Sequence, residues 1–160
     1  MKKPAHQTLT QFWRTIRADI EFGETSLEEI ANLEKKYAVK LPHEFREYLR
    51  WACPKSVDQS DPELTTWWEL DRIKSLEEEY EGSKYLKKNP EFLKDASSYI
   101  VFVDYLIWSW SWAICCKPGD NYGRIVQLLG PIEFVSNSFE EFVQAYITCY
   151  ADTFVLEKVP

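Results

Sequence analysis

A run of strand-forming and aromatic residues from Tyr99 to Leu129 constrains the fold more than any other part of the chain. It holds three of the seven tryptophans and is divided by a turn-forming stretch at residues 117–123. Asp104, Ser109 and Ser111 interrupt it, whereas a membrane span needs about 20 mostly apolar residues. Its β-branched and aromatic content instead predicts strands of a buried sheet.

Side chains alternate in size along residues 108–116. Large and small residues would point to opposite sides of a strand, because strand side chains repeat every two residues. The large set is Trp108, Trp110, Trp112, Ile114 and Cys116, and the small set is Ser109, Ser111, Ala113 and Cys115. The tryptophan face either fills the core, as large aromatic side chains generally do, or forms a platform for a partner.

Helix signals lie on both sides of this run. Apolar residues at helical spacing or capping boxes predict helices over about residues 8–21, 26–38, 42–53, 75–87 and from 138 onward. Short strands are predicted at residues 64–70 and 132–135. Trp67 and Trp68 would then face opposite sides of the first of these strands. The order predicts an α+β fold, with N-terminal helices and a C-terminal helix packed on an antiparallel β-sheet.

Length and charge limit the class of protein. The 160 residues predict a single domain spanning 1–160, with residues 1–8 and 151–160 peripheral. The formal net charge of −7 argues against nucleic acid and anionic membranes as partners, and it suits either a basic protein partner or simple solubility. Four cysteines without a CxxC motif and an N-terminus without an apolar stretch predict buried free thiols and a cytoplasmic location.

No known catalytic or cofactor motif occurs in the sequence. Phosphate-binding glycine loops, the GxSxG nucleophile motif and zinc-ligand spacing are absent, so we expect no catalytic residue, no metal and no cofactor. Asp104 is the one acid set within apolar sequence, in VFVDYLI. It could serve as the general base of a small hydrolase, but accepting a backbone amide near the end of a strand is the more common role.

Several segments together resemble the SUKH superfamily of Smi/Knr-type domains. They are Ser26–Leu33 with Leu41–Leu49, the Phe102–Leu106 and Trp110–Ile114 strands, and the closing Ser138–Phe142 helix start. The resemblance covers about residues 26–150 and implies helices packed on an antiparallel sheet. It also implies a non-catalytic role, commonly that of a bacterial immunity protein that binds and neutralises a toxin, often a nuclease. Other family members act as regulatory or scaffolding interaction modules, which is the alternative here.

A basic toxin domain would be bound by acidic and aromatic residues. Aromatic anchors are hypothesised because buried tryptophans dominate interface energies, and nearby acids would steer a basic partner into place. The candidate residues are Trp67, Trp68, Glu69, Glu77, Glu78, Glu81, Trp108 and Trp110.

Overall fold

The computed structural model describes residues 1–56, 59–128, 130–150 and 156–160, and within them the predicted α+β class is confirmed. The α-helices are α1 Ala5–Thr15, α2 Leu27–Tyr37, α3 His43–Ala52, α4 Leu76–Glu79, α5 Pro90–Leu93 and α6 Phe139–Thr148. The strands are β1 Phe22–Gly23, β2 Cys53–Pro54, β3 Thr65–Trp67, β4 Lys74–Ser75, β5 Tyr99–Tyr105, β6 Trp110–Cys115, β7 Ile125–Leu128 and β8 Glu133–Ser136. Short 3₁₀ turns occupy Leu86–Lys88 and Ala96–Ser98.

One antiparallel sheet organises the molecule. Its strands run in the order β3-β5-β6-β7-β8, and β4 also pairs with β5. A register shift between Val101 and Val103 marks a bulge in β5. β1 and β2 form a separate two-stranded sheet. Consecutive strands are neighbours from β5 to β8, as expected for a chain that builds its sheet from hairpins.

The helices α1, α3 and α6 pack against one face of this sheet through aromatic contacts. Trp67 of β3 lies at the centre of this layer, and its ring centroid is 5.2–6.0 Å from those of five neighbours. Those neighbours are Trp13, Tyr48, Phe102, Phe142 and Tyr146. Edge-to-face aromatic pairs add to the burial of apolar area, so this cluster is a large part of the core.

Local signals place α2 and α3 where the sequence predicts them. The Ser26 hydroxyl accepts from the Glu29 amide at 3.1 Å, and the Glu29 carboxylate accepts from the Ser26 amide at 2.9 Å. This is the predicted capping box, which satisfies two amides that the helix itself cannot bond. Pro42 immediately precedes α3, where a missing amide hydrogen costs nothing.

Three predicted segments are corrected by the structure. The helix predicted to run to about Lys87 ends at Glu79, and the chain then turns at Gly82 with a φ of 75°. Of the strand predicted over residues 64–70, only the part that forms β3 is observed. The alternation from residue 108 begins at Trp110, since Trp108 lies in the loop before β6 with a φ of 71°.

The two ends of the chain also differ from the expected peripheral arms. α1 starts at Ala5, which is buried, so only the first four residues precede the helix. Of the last ten residues, 151–155 lie outside the described part of the chain. Within 156–160, the Leu156 amide donates to the side-chain oxygen of Gln127 at 3.0 Å, and the Val159 amide donates to the Phe134 carbonyl at 2.8 Å. Leu156 and Val159 therefore contact the β7–β8 side of the sheet.

Candidate functional site

The acidic residues of α4 and the turn after it line an open cleft. The cleft has a volume of about 630 Å³ and lies between the C-terminal end of α2 and residues 75–97. Its charged lining residues are Lys36, Glu77, Glu78, Glu81 and Lys87. Three of the predicted partner-binding acids are therefore neighbours in one surface depression.

Glu78 is held inside the cleft, whereas the other two acids are not. The Tyr37 hydroxyl donates to the Glu78 carboxylate at 2.5 Å, and the Lys36 ammonium lies 3.5 Å from the same oxygen. The Tyr37 hydrogen bond, followed by the charge of Lys36, lowers the pKa of Glu78. In the described part of the chain, the exposed carboxylates of Glu77 and Glu81 pair with no cation, so their charge faces solvent.

An aromatic row, which we define as Trp68, Trp108, Tyr80 and Tyr85, connects the β5–β6 hairpin to α4. Trp108 stacks on Trp68 with centroids 6.2 Å apart and contacts Tyr80 at 5.7 Å. Tyr80 in turn lies 4.6 Å from Tyr85. Because Tyr80 directly follows α4, the row brings Trp108 next to the acidic segment.

Asp104 lies beneath the row and binds three donors. It is 2% exposed, and it accepts from the Trp68 indole at 2.6 Å and from the Trp108 backbone amide at 3.1 Å. The Arg72 guanidinium lies 3.4 Å from its carboxylate and 4.4 Å from the centre of the Trp68 ring. The interpretation that Asp104 accepts a backbone amide is thus confirmed, and its oxygens hold the loop after β5 in place.

That loop forms the tip of the hairpin, defined here as residues 106–109. Leu106, Ile107 and Trp108 have φ values of 52°, 50° and 71°, a left-handed conformation that side chains with a Cβ rarely adopt. Ile107 is 85% exposed. The Leu106 amide donates to the carbonyl of Leu64 at 3.1 Å, and Leu64 is itself 43% exposed with a φ of 67°.

The predicted anchors separate into buried and surface residues. Trp67 is 1% exposed and Trp68 is 0% exposed, so the interpretation of these two rings as surface anchors is corrected: both belong to the core. Trp108 and Trp110 are half-buried, which leaves part of each ring accessible. Trp110 lies 6.0 Å from Tyr105 at the start of β6.

Glu69 lies apart from the cleft. Glu69 is not among the residues that line the cleft. Burial, together with a smaller effect of the Glu69 carboxylate, raises the pKa of the Cys53 thiol to about 11. The cleft acids and Trp108 are therefore brought together, and Glu69 is not part of that group. Cys53, Cys115, Cys116 and Cys149 are free thiols, and the first three are buried, as predicted.

Sequence reasoning missed Ile107 and Leu64. Neither is marked by a motif, and the tip contains no glycine, asparagine or proline to signal a turn. The sequence does place polar Asp104 and Ser109 on either side of an apolar stretch, but this pattern is only weak evidence for a hairpin.

The described residues contain no group of three or more histidine, cysteine or acidic side chains placed to hold a metal ion. None of the helices within them is both long and apolar enough to cross a membrane.

Comparison with known proteins identifies one family. The model of the SMI1/KNR4 family (SUKH-1) matches residues 24–145, which is about three quarters of the chain. This range begins just before α2 and ends within α6, so it includes the cleft, the aromatic row and the hairpin tip. No curated protein matches the chain.

Proposed function

Because the chain belongs to the SMI1/KNR4 family (SUKH-1), we propose that it is a protein-binding domain acting as an immunity protein, which binds a cognate bacterial toxin and neutralises it. The surface that we assign to this task consists of the cleft acids Glu77, Glu78 and Glu81 and the exposed edges of Trp108 and Trp110. A cytoplasmic site of action and a single-domain organisation are part of the proposal.

The contact between Tyr80 and Trp108 supports the proposal more than any other observation. The acidic segment and Trp108 are separated by about 30 residues in the sequence, yet this 5.7 Å ring contact brings them together. Interfaces combine aromatic anchors, which supply affinity, with peripheral charges, which supply attraction and orientation. Both components are adjacent here.

The charge of the surface indicates the kind of toxin. Glu77 and Glu81 are exposed and contribute to the net charge of −7. A nuclease must attract phosphate and therefore carries a basic cleft, which an acidic protein can occupy with electrostatically accelerated association. We accordingly propose a basic toxin, with a nuclease domain as the preferred class.

A growth-rescue experiment tests the proposal. The partner is captured from the native host with the tagged protein, identified by mass spectrometry, and expressed alone and together with the captured protein. The partner should arrest growth when expressed alone, and the wild-type protein should restore growth. The double variant Glu77→Lys, Glu81→Lys should restore it poorly, because the steering charge of the cleft is reversed.

A matched control separates a local effect from one of net charge. The double variant Asp19→Lys, Asp120→Lys changes two exposed acids elsewhere and raises the formal net charge by the same amount, from −7 to −3. It should restore growth like the wild type. A captured partner that is harmless to growth would contradict the immunity function and favour the regulatory or scaffolding role instead.

A further inference from the structure

The hairpin tip exposes more apolar surface than a simple turn requires. Ile107 is 85% exposed, and Leu64, whose carbonyl bonds the tip, is 43% exposed. Leu106 and Trp108 flank Ile107 and are half-buried. Single exposed apolar side chains are common on protein surfaces, but several on adjoining segments form a patch of the kind that contacts partners.

The conformation of the tip is unfavourable for the residues that occupy it. Three consecutive residues have positive φ, and the middle one is a β-branched isoleucine, the type that suits this region least. Glycine or asparagine would adopt the same backbone more easily. An exposed residue whose type is unfavourable for its own backbone conformation does not stabilise the free protein. Its presence at the tip therefore points to a role in binding.

The tip is nevertheless held in a single arrangement. Asp104 accepts from the Trp108 amide at 3.1 Å, and the Ser109 hydroxyl donates to the Leu106 carbonyl at 2.8 Å. The Trp108 ring is fixed on one side by Trp68, at 6.2 Å. A side chain that is already ordered before binding loses little conformational entropy on association, and such residues make strong anchors.

Two exposed acids adjoin the patch along the chain. Glu63 directly precedes Leu64, and Glu81 follows Tyr80, which contacts Trp108. Glu79 is half-buried, and its charge is partly offset by Lys74 and Arg72. The nearby Arg72 is paired with Asp104 at 3.4 Å, so part of its charge is already compensated. The tip thus has an apolar centre, and Glu63 and Glu81 place exposed negative charge on the segments that adjoin it.

This charge distribution selects one occupant. A second copy of the chain would bring two acidic borders together, and an anionic membrane would be repelled as well. A protein pocket with an apolar floor and lysine or arginine at its rim complements both features. We infer that Ile107 at the hairpin tip inserts into such a pocket of the partner protein, with Leu64 and Trp108 packing against its walls; this inference rests on the proposed immunity function.

Calorimetric titration with the toxin identified by growth rescue tests the inference. Ile107→Asp should weaken binding by at least about 30-fold, since a central anchor is worth about 2 kcal/mol or more. Aspartate tolerates a left-handed backbone, so the loop is preserved. Ile107→Val keeps an apolar side chain and should stay within about fivefold of the wild type.

Leu27→Asp is the matched control. Leu27 is 59% exposed and begins α2, where an acidic side chain suits the helix N-terminus, so this variant should fold and bind like the wild type. Circular dichroism of each variant verifies the fold, and light scattering measures the oligomeric state.

The outcomes distinguish the two proposals. Equal binding by wild-type protein and Ile107→Asp would overturn the role of the tip and leave the immunity function standing. A wild-type dimer that Ile107→Asp dissociates would also overturn it, because the occupant would then be a second copy. Failure of wild-type protein to bind any toxin would refute the immunity function itself, and this inference with it.

Discussion

Replacing Ile107 by glycine should give a more stable protein than replacing it by alanine. Both changes remove the exposed side chain, and they differ by one Cβ atom at a position with a φ of 50°. A Cβ costs about 1–2 kcal/mol in the left-handed region. Glycine loses about 0.5–1 kcal/mol through its extra freedom in the unfolded chain. The glycine variant should therefore be the more stable by about 1 kcal/mol.

Burial makes little difference to this comparison. Ile107 is 85% exposed, so neither substitution opens a cavity in the core. The expected difference corresponds to about 2–4 °C in melting temperature for a domain of this size. Urea unfolding followed by tryptophan fluorescence measures it, provided that both variants have the same dependence of unfolding free energy on denaturant concentration.

Ala31→Gly should change the free energy of unfolding in the opposite direction, and it serves as an internal reference. Ala31 is exposed within α2, where glycine should be less stable than alanine by about 1 kcal/mol. If the glycine variant at position 107 were less stable than the alanine variant by a similar amount, the tip would not be left-handed. The argument that Ile107 is kept for binding would then lose its physical basis.

Three further predictions concern Asp104, the pKa of Glu78 and the N-terminal cap of α2. Asp104→Ala should destabilise the fold by about 3 kcal/mol in urea unfolding, because it leaves the buried Trp68 indole and the partly buried Arg72 guanidinium without this carboxylate. Tyr37→Phe should raise the pKa of Glu78 toward the ordinary value, as seen by NMR titration of its carboxyl carbon. In the wild type this lowered pKa stabilises the fold above the ordinary carboxylate pKa, and the contribution is lost as pH falls through the folded-state value. Ser26→Ala should cost about 1 kcal/mol in thermal unfolding, since the cap of α2 is removed.

Local chemistry made α2 and α3 predictable. The capping box at Ser26 and the proline before α3 act through atoms a few residues apart, so no knowledge of the fold is needed to read them. The sheet was predictable in composition for a similar reason, because β-branched and aromatic residues fill β5 and β6. The antiparallel arrangement then followed from the order of the elements.

The exposure of the tryptophans could not be read in the same way. Alternation shows that Trp67 and Trp68 point to opposite sides, but it does not show what covers each side. The structure buries one under α1, α3 and α6, and the other beneath Trp108 and beside Arg72. Both faces are therefore covered at this point, by segments distant in sequence, and strand periodicity carries no information about such contacts.

Tertiary contacts also impose the hairpin tip. A hairpin turn with positive φ values normally contains glycine or asparagine. This one contains neither and is instead stabilised by Asp104 and by the stacking of Trp108. The end of α4 has a comparable origin, since Tyr80 leaves the helix and packs on Trp108. These two deviations from local preference meet at the surface that we assign to the partner.

The association rate of the protein with its toxin, measured by stopped-flow tryptophan fluorescence at increasing salt, tests the central claim most directly. The proposed surface predicts an association rate constant that falls by about tenfold or more between about 0.05 M and about 0.5 M salt. The dependence should be weaker for Glu77→Lys, Glu81→Lys and unchanged for Asp19→Lys, Asp120→Lys. A rate constant that is independent of salt, or equally affected by both pairs of substitutions, would contradict binding of a basic toxin at the acidic cleft.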